Sequence, residues 1–127
     1  MNVLVDSSVL IDHLRGDPRA TQLLAEHLRA GDEVWGVVVT RTEILAGMRS
    51  SERPATVHLL AQPFWLEVDV ELADQAGRLA RQYRRSHPGI GAVDFLIAAG
   101  VERLGARFLT GNIKHFPMFP GLEPAYP

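Results

Sequence analysis

Residues 2–14 have the sequence NVLVDSSVLIDHL, which joins a strand pattern directly to a helix pattern. Residues 2–5 are mostly apolar, as in a short buried strand, and the run stops abruptly at Asp6. Two serines follow, and apolar residues then recur at helical spacing as far as Leu14. This stretch therefore predicts a strand, a tight turn that carries a carboxylate, and a helix.

The rest of the chain repeats this alternation of strands and helices. Strands are predicted over residues 34–39, 64–68 and 107–110, and helices from the Asp17-Pro18 pair to Gly31, from Thr40 onwards, and over residues 55–61, 70–86 and 95–101. Such alternation is typical of an α/β protein with a mainly parallel central sheet flanked by helices. We expect residues 1–127 to form a single domain of this class.

The composition is that of an ordinary globular protein. The chain has 127 residues and a mass of 14.0 kDa, with 46% hydrophobic and 22% charged residues. These proportions exclude disordered, collagen-like and coiled-coil classes. The formal net charge is -2, so any binding of nucleic acid requires a local basic patch rather than an overall positive field.

Cysteine is absent, which excludes disulfides, zinc–thiolate sites, iron–sulfur clusters and thiol nucleophiles. The residues after Met1 lack the pattern of a secretory signal peptide, so secretion is disfavoured. The longest apolar run, residues 95–101, is too short to span a bilayer. We therefore expect a protein of the reducing cytoplasm without a membrane segment.

Four polar residues lie just after predicted strands or at the starts of the helices beside them: Asp6, Glu43, Asp94 and Asn112. In open α/β sheets, ligands bind outside the carboxyl ends of the strands, which is where these residues fall. The four positions are therefore the candidate functional residues of the chain.

Each of these residues also has a local explanation. Asp6 could cap the helix that follows it, and Asp94 could complement the dipole of its own helix. The spacing of Thr40 and Glu43 fits a capping box, in which the glutamate bonds back to the threonine N–H. Asn112 follows a glycine, and a Gly-Asn pair is typical of a turn.

The joint pattern favours a metal site. Three carboxylates at one edge of a sheet would repel one another, raising their pKa values and costing stability, unless a cation neutralises them. Oxygen ligands without Cys or paired His select Mg²⁺ or Mn²⁺ over zinc. Such a site is typical of metal-assisted phosphodiester hydrolysis, in which the ion activates water and stabilises charge on the phosphate.

Four motifs then resemble one known family. In chain order they are VLVDSSVLID (residues 3–12), TRTEILAGMR (40–49), AVDFLIAAGVERLGA (92–106) and FLTGNIKHF (108–116). Together they cover nearly the whole chain, and they resemble the PIN-domain ribonucleases, in particular the VapC toxins of prokaryotic VapBC toxin–antitoxin pairs.

The resemblance implies a Mg²⁺- or Mn²⁺-dependent endoribonuclease that acts on RNA as a toxin. Asp6, Glu43 and Asp94 would be the metal-binding acids, with Asn112 at the fourth position of the catalytic site, where many members have Asp. The resemblance also implies a homodimer and a cognate VapB-type antitoxin, whose C-terminal segment would cover the site. An arginine from that segment would pair well with the acids.

Several other polar residues have competing interpretations. Ser8 and Thr110 could orient water or the first acid, or could serve only local structure. His115 is expected to pack beside the site and is left outside the catalytic set. Asp12, near the end of its helix, is expected to face water.

Twelve of the thirteen basic residues are Arg, and three of them, Arg78, Arg81 and Arg85, share one helix face with Arg84 nearby. This face could track an RNA backbone, or it could simply be solvated.

Two other functions remain open. The first is a non-catalytic binding or assembly module of the same fold, with the acids acting as caps. The second is a phosphotransfer enzyme with Asp6 as nucleophile, which is disfavoured because no second acid lies two residues on and no Gly-rich phosphate loop is present.

Overall fold

The computed structural model describes residues 1–127 and contains a four-stranded parallel sheet. Its strands are β1 (Asn2–Val5), β2 (Glu33–Val37), β3 (Phe64–Leu66) and β4 (Arg107–Leu109), in the order β3-β2-β1-β4. In the centre of the sheet, Leu4 pairs with Trp35 on one side and with Phe108 on the other. The predicted α/β class with a parallel sheet is confirmed.

Six α-helices flank this sheet. They are α1 (Ser7–Leu14), α2 (Pro18–Arg29), α3 (Val38–Gly47), α4 (Arg53–Leu60), α5 (Val70–Tyr83) and α6 (Ala92–Leu104), and short 3₁₀ turns lie at Ser50–Glu52 and Ile113–His115. No helix combines the length and the apolar character that a bilayer crossing requires.

The core lies on both faces of the sheet because successive side chains of β1 point in opposite directions. Leu4 packs on one face with apolar residues of α5 and α6. Val3 and Val5 pack on the other face with residues of α1, α2 and α4. Burying β1 on both faces fixes the position of its carboxyl end, where Asp6 follows.

Helix α6 approaches the sheet closely at Gly100. A Cβ atom at this residue would lie 2.8 Å from Val37 Cγ2 and 3.3 Å from Leu4 Cδ1, so a larger residue would push the helix away. This contact sets the height of α6 above the sheet, and therefore the position of Asp94 in its first turn.

Several predicted boundaries are wrong. The strand predicted over residues 34–39 ends at Val37, and Val38 already begins α3. The β-branched residues Val38 and Val39 favour a strand locally, but tertiary packing overrides so weak a preference. The helix predicted to reach residue 86 ends at Tyr83, and Pro88 disfavours helical backbone in the residue before it. The buried helix predicted over residues 95–101 extends from Ala92 to Leu104.

The C-terminal segment corrects one further expectation. Asp12 does not simply face water, because the Tyr126 hydroxyl donates a hydrogen bond to its carboxylate. The Arg19 guanidinium lies over the same tyrosine ring, 4.9 Å from its centroid, and Ala125 N–H donates to the Thr110 carbonyl at 2.9 Å. The segment thus links α1 and α2 to the end of β4.

Candidate active site

Asp6 is the most buried acid of the protein, with 3% of its surface exposed. It is the N-cap of α1, and its Oδ1 accepts a hydrogen bond from Ser7 N–H at 2.8 Å. Its Oδ2 accepts from the hydroxyls of Ser8, at 3.2 Å, and Thr110, at 2.7 Å. The interpretation of Asp6 as a helix cap is confirmed. A carboxylate accepts about four hydrogen bonds, so Oδ1 still has a free position for a ligand.

Ser8 and Thr110 also fix the loop after β4. The Gly111 N–H donates to Ser8 Oγ at 3.1 Å, and the Asn112 N–H donates to Thr110 Oγ1 at 2.9 Å. Each hydroxyl therefore connects the first acid to this loop, which makes both of them orienting groups for Asp6.

Asn112 lies at the predicted edge, but its side chain does not join this network. The residue is exposed, and it begins the 3₁₀ turn without a hydrogen bond from its side chain. Its backbone, rather than its amide group, ties it to Thr110 and to His115, whose N–H donates to the Asn112 carbonyl at 3.0 Å.

Glu43 does not form the capping box with Thr40. Helix α3 begins two residues before Thr40, and the Thr40 hydroxyl is buried without a hydrogen-bond partner. Partial removal from water and the negative charge of Asp6 instead raise the pKa of the Glu43 carboxyl, with a smaller contribution from Asp94, while the Ser7 side chain opposes the shift. Glu43 therefore belongs electrostatically to the same site as the other two acids.

Asp94 lies in the first turn of α6, with 21% of its side chain exposed. Partial burial raises the pKa of its carboxyl, the charge of a protonated His115 lowers it, and the Asp6 carboxylate raises it again. The Nδ1 atom of His115 lies 3.1 Å from Asp94 Oδ2. His115 thus packs beside the site, as predicted, and does so by a direct polar contact with one acid.

The three acids fit a divalent cation by their chemistry. They are hard oxygen donors, the charge of Asp6 raises the pKa of both Glu43 and Asp94, and no Lys or Arg side chain forms an ion pair with them. They are not, however, arranged as a group of three side chains that could hold one ion together. Side-chain rotation within the site would be needed for Asp6, Glu43 and Asp94 to share a metal.

The raised pKa of Glu43 predicts that replacing this residue changes the stability of the protein. Because the pKa of this carboxyl is raised in the folded state, its ionisation costs stability as the pH rises above its unfolded value of about 4.3. Glu43→Gln should therefore increase the unfolding free energy of the metal-free protein at pH ~7 and leave it nearly unchanged at pH ~4. Urea unfolding in EDTA at both pH values measures this difference.

Glu123→Gln is the matched control, because Glu123 is an exposed glutamate outside the site. A Glu43→Gln protein that is no more stable than wild type at neutral pH would show that neither burial nor the neighbouring carboxylates make ionisation of Glu43 costly.

Comparison with known proteins identifies the family. The model of the PIN domain matches residues 3–117, and the chain belongs to the PIN-domain family. Ribonuclease VapC19 of Mycobacterium tuberculosis is 46% identical over 123 residues, which are 97% of this chain and 98% of the relative. Ribonuclease VapC10 of the same organism is 42% identical over 125 residues, 98% of this chain and 92% of the relative. The predicted resemblance to the VapC group is confirmed.

A solved toxin–antitoxin complex from Klebsiella pneumoniae has the same fold. It superposes with a TM-score of 0.76 at 22% identity, covering 98% of this chain and 98% of the other chain. At that identity the likeness establishes the architecture alone, and it supports the parallel α/β arrangement described above.

Proposed function

We propose that this protein is an endoribonuclease that hydrolyses RNA phosphodiester bonds with the aid of Mg²⁺ or Mn²⁺, and that it is the toxin of a VapBC-type pair. The observation that carries the proposal is the placement of Asp6 at the N-cap of α1, Glu43 within α3 and Asp94 in the first turn of α6, where the Asp6 charge acts on both of the other carboxyls. The full-length VapC ribonuclease relatives support the same activity, and ribonucleases of this group generally depend on a divalent metal.

Each residue has a defined task in this proposal. Asp6, held by three donors, is the fixed ligand, and Glu43 and Asp94 complete the set of acids. A bound divalent cation would supply Lewis-acid activation of water and stabilise the charge on the phosphate. His115 holds the Asp94 carboxylate in place from its outer side. Asn112 is tied through its backbone N–H to Thr110, which bonds to Asp6, and it stays in the proposed catalytic set as a polar neighbour of the substrate.

Metal dependence gives the direct test. We expect purified protein to cleave structured RNA in Mg²⁺ or Mn²⁺ and to stop when EDTA is added. The same ions should raise the melting temperature by on the order of 5–10 °C at about 100 times their Kd, since a ligand that binds only the folded state stabilises it. A folded protein with neither cleavage nor a metal-induced rise would favour the non-catalytic module instead.

The proposed partners follow from the same site. Three carboxylates that no Lys or Arg side chain neutralises would attract a cationic segment, so we propose that a cognate VapB-type antitoxin silences the enzyme by placing an arginine on them. We also propose that the enzyme forms a homodimer. The neighbouring solved structure is itself a toxin–antitoxin complex, which supports the antitoxin partner.

A further inference from the structure

A groove with a volume of about 910 Å³ runs between α5 and the start of α6. Three arginines line it, namely Arg81 in the last turn of α5 and Arg84 and Arg85 just after that helix, and all three are exposed. Small residues such as Gly77, Ala80 and Ala92 line the rest of it together with Phe95 and Leu96, and no Asp or Glu is among its lining residues. The groove is therefore cationic, and its small side chains allow a bound polymer to approach the backbone of α5 closely.

The three arginines are free to bind a ligand. Every arginine ion pair in the structure is formed by Arg19 or Arg103, and both cation–π contacts involve Arg19 or Arg41. The guanidinium groups of the groove also make no hydrogen bond to another part of the protein. In a chain with a net charge of -2, this is a local concentration of unpaired positive charge.

The groove and the acids meet at one end of α6. Ala92, the first residue of α6, lines the groove, and Asp94 lies in the same turn on a different side of the helix. The connecting residues Pro88, Gly89 and Gly91 are exposed, so the surface around this end of α6 is open. A polyanion bound along the groove would reach the acids by passing around the start of the helix.

We propose that this groove binds the sugar–phosphate backbone of a single RNA strand on one side of the bond that is cleaved, with Arg81, Arg84 and Arg85 contacting phosphates. The inference rests on the proposed ribonuclease function and adds to it the path of the substrate. Charge complementarity selects the occupant, because the phosphate backbone is the strongest general source of affinity for nucleic acids and arginine pairs with phosphate through two parallel hydrogen bonds.

The test compares two triple variants with equal changes in charge. One replaces Arg81, Arg84 and Arg85 with Ala. The matched control replaces Arg15, Arg29 and Arg53 with Ala, because these arginines are also exposed and form no ion pair. Fluorescence anisotropy of a short fluorescein-labelled single-stranded RNA, in EDTA so that no cleavage occurs, measures the Kd at several salt concentrations.

We expect the groove variant to bind RNA about tenfold or more weakly at physiological ionic strength. The slope of log Kd against log salt should fall by about 2, since each phosphate contact on a single strand contributes about 0.7. The control should stay within about threefold of wild type, because it removes the same charge elsewhere. Replacing the three groove arginines with Lys should restore most of the affinity and the slope.

Equal losses in the two variants, or no loss in either, would overturn the inference, as would a wild type that does not bind the RNA. A groove variant that changes only the oligomeric state, measured by light scattering, would show a protein interface instead. Cleavage in Mn²⁺ is measured separately: a wild type that binds RNA through the groove but never cuts it contradicts the proposed function alone. A wild type that cuts RNA and whose groove variant binds normally contradicts the groove alone.

Discussion

We expect Asp94→Asn to abolish metal-dependent RNA cleavage while leaving the fold intact, which is the largest effect on activity that we expect from one substitution. The new side chain keeps the shape of the old one and can still accept a hydrogen bond from His115, whose Nδ1 lies 3.1 Å from the carboxylate. It removes the negative charge that a divalent cation requires. Since metal catalysis is worth several kcal/mol, the rate should fall by about a thousandfold or more.

Stability separates this loss from simple unfolding. Burial and the Asp6 charge raise the pKa of Asp94, so neutralising it should leave the metal-free protein at least as stable as wild type at neutral pH. Asp74→Asn is the control, because Asp74 is an exposed aspartate on α5. Initial rates on one structured RNA in Mn²⁺, with melting curves in EDTA, measure both properties. Undiminished cleavage by a purified, folded Asp94→Asn protein would refute the assignment of this residue.

The sequence predicts the location of the site better than its internal contacts. A parallel sheet brings the carboxyl ends of its strands to one edge, so the apolar run of β1 predicts that Asp6 lies at that edge. The sequence does not predict how the three carboxylates are arranged, and in the structure they do not form a group that could hold one ion together. The contact between Asp94 and His115 spans 21 residues, and that between Asp6 and Thr110 spans 104. No local pattern encodes contacts of that separation, because they depend on how the helices and strands pack.

The positions of the helix starts show which of the acids act as local helix caps. Thr40 and Glu43 have the spacing of a capping box, but α3 starts at Val38, so Thr40 lies inside the helix and cannot cap it. Asp6 is a true cap and also receives two hydroxyl hydrogen bonds. Capping accounts for the single bond to Ser7 N–H and does not explain why Ser8 and Thr110 both converge on the other carboxylate oxygen. These two bonds satisfy a carboxylate with only 3% of its surface exposed, and they also fix its orientation.

The helix that carries Asp94 gives the largest expected effect on stability. Phe95 is fully buried, next to Asp94, whereas Phe64 on the edge strand β3 is 54% exposed. Phe95→Ala should therefore lower the unfolding free energy by about 3–5 kcal/mol, through lost burial and the cavity left behind. Phe64→Ala removes the same atoms but loses mainly its contact with the Trp35 ring, 5.2 Å away, which is worth about 0.5–1.5 kcal/mol.

Urea unfolding of both variants, with the midpoint and slope measured together, distinguishes the two losses. The loss expected for Phe95→Ala is large for a single domain, because the total unfolding free energy of a domain is only about 5–15 kcal/mol. Losing a fifth or more of that would raise the unfolded fraction and lower cleavage in proportion at elevated temperature. The specific activity of the remaining folded protein would stay near that of wild type. Equal losses for Phe95→Ala and Phe64→Ala would mean that α6 is not anchored through this ring, and that Asp94 is positioned by the contact at Gly100 and by its own hydrogen bonds instead.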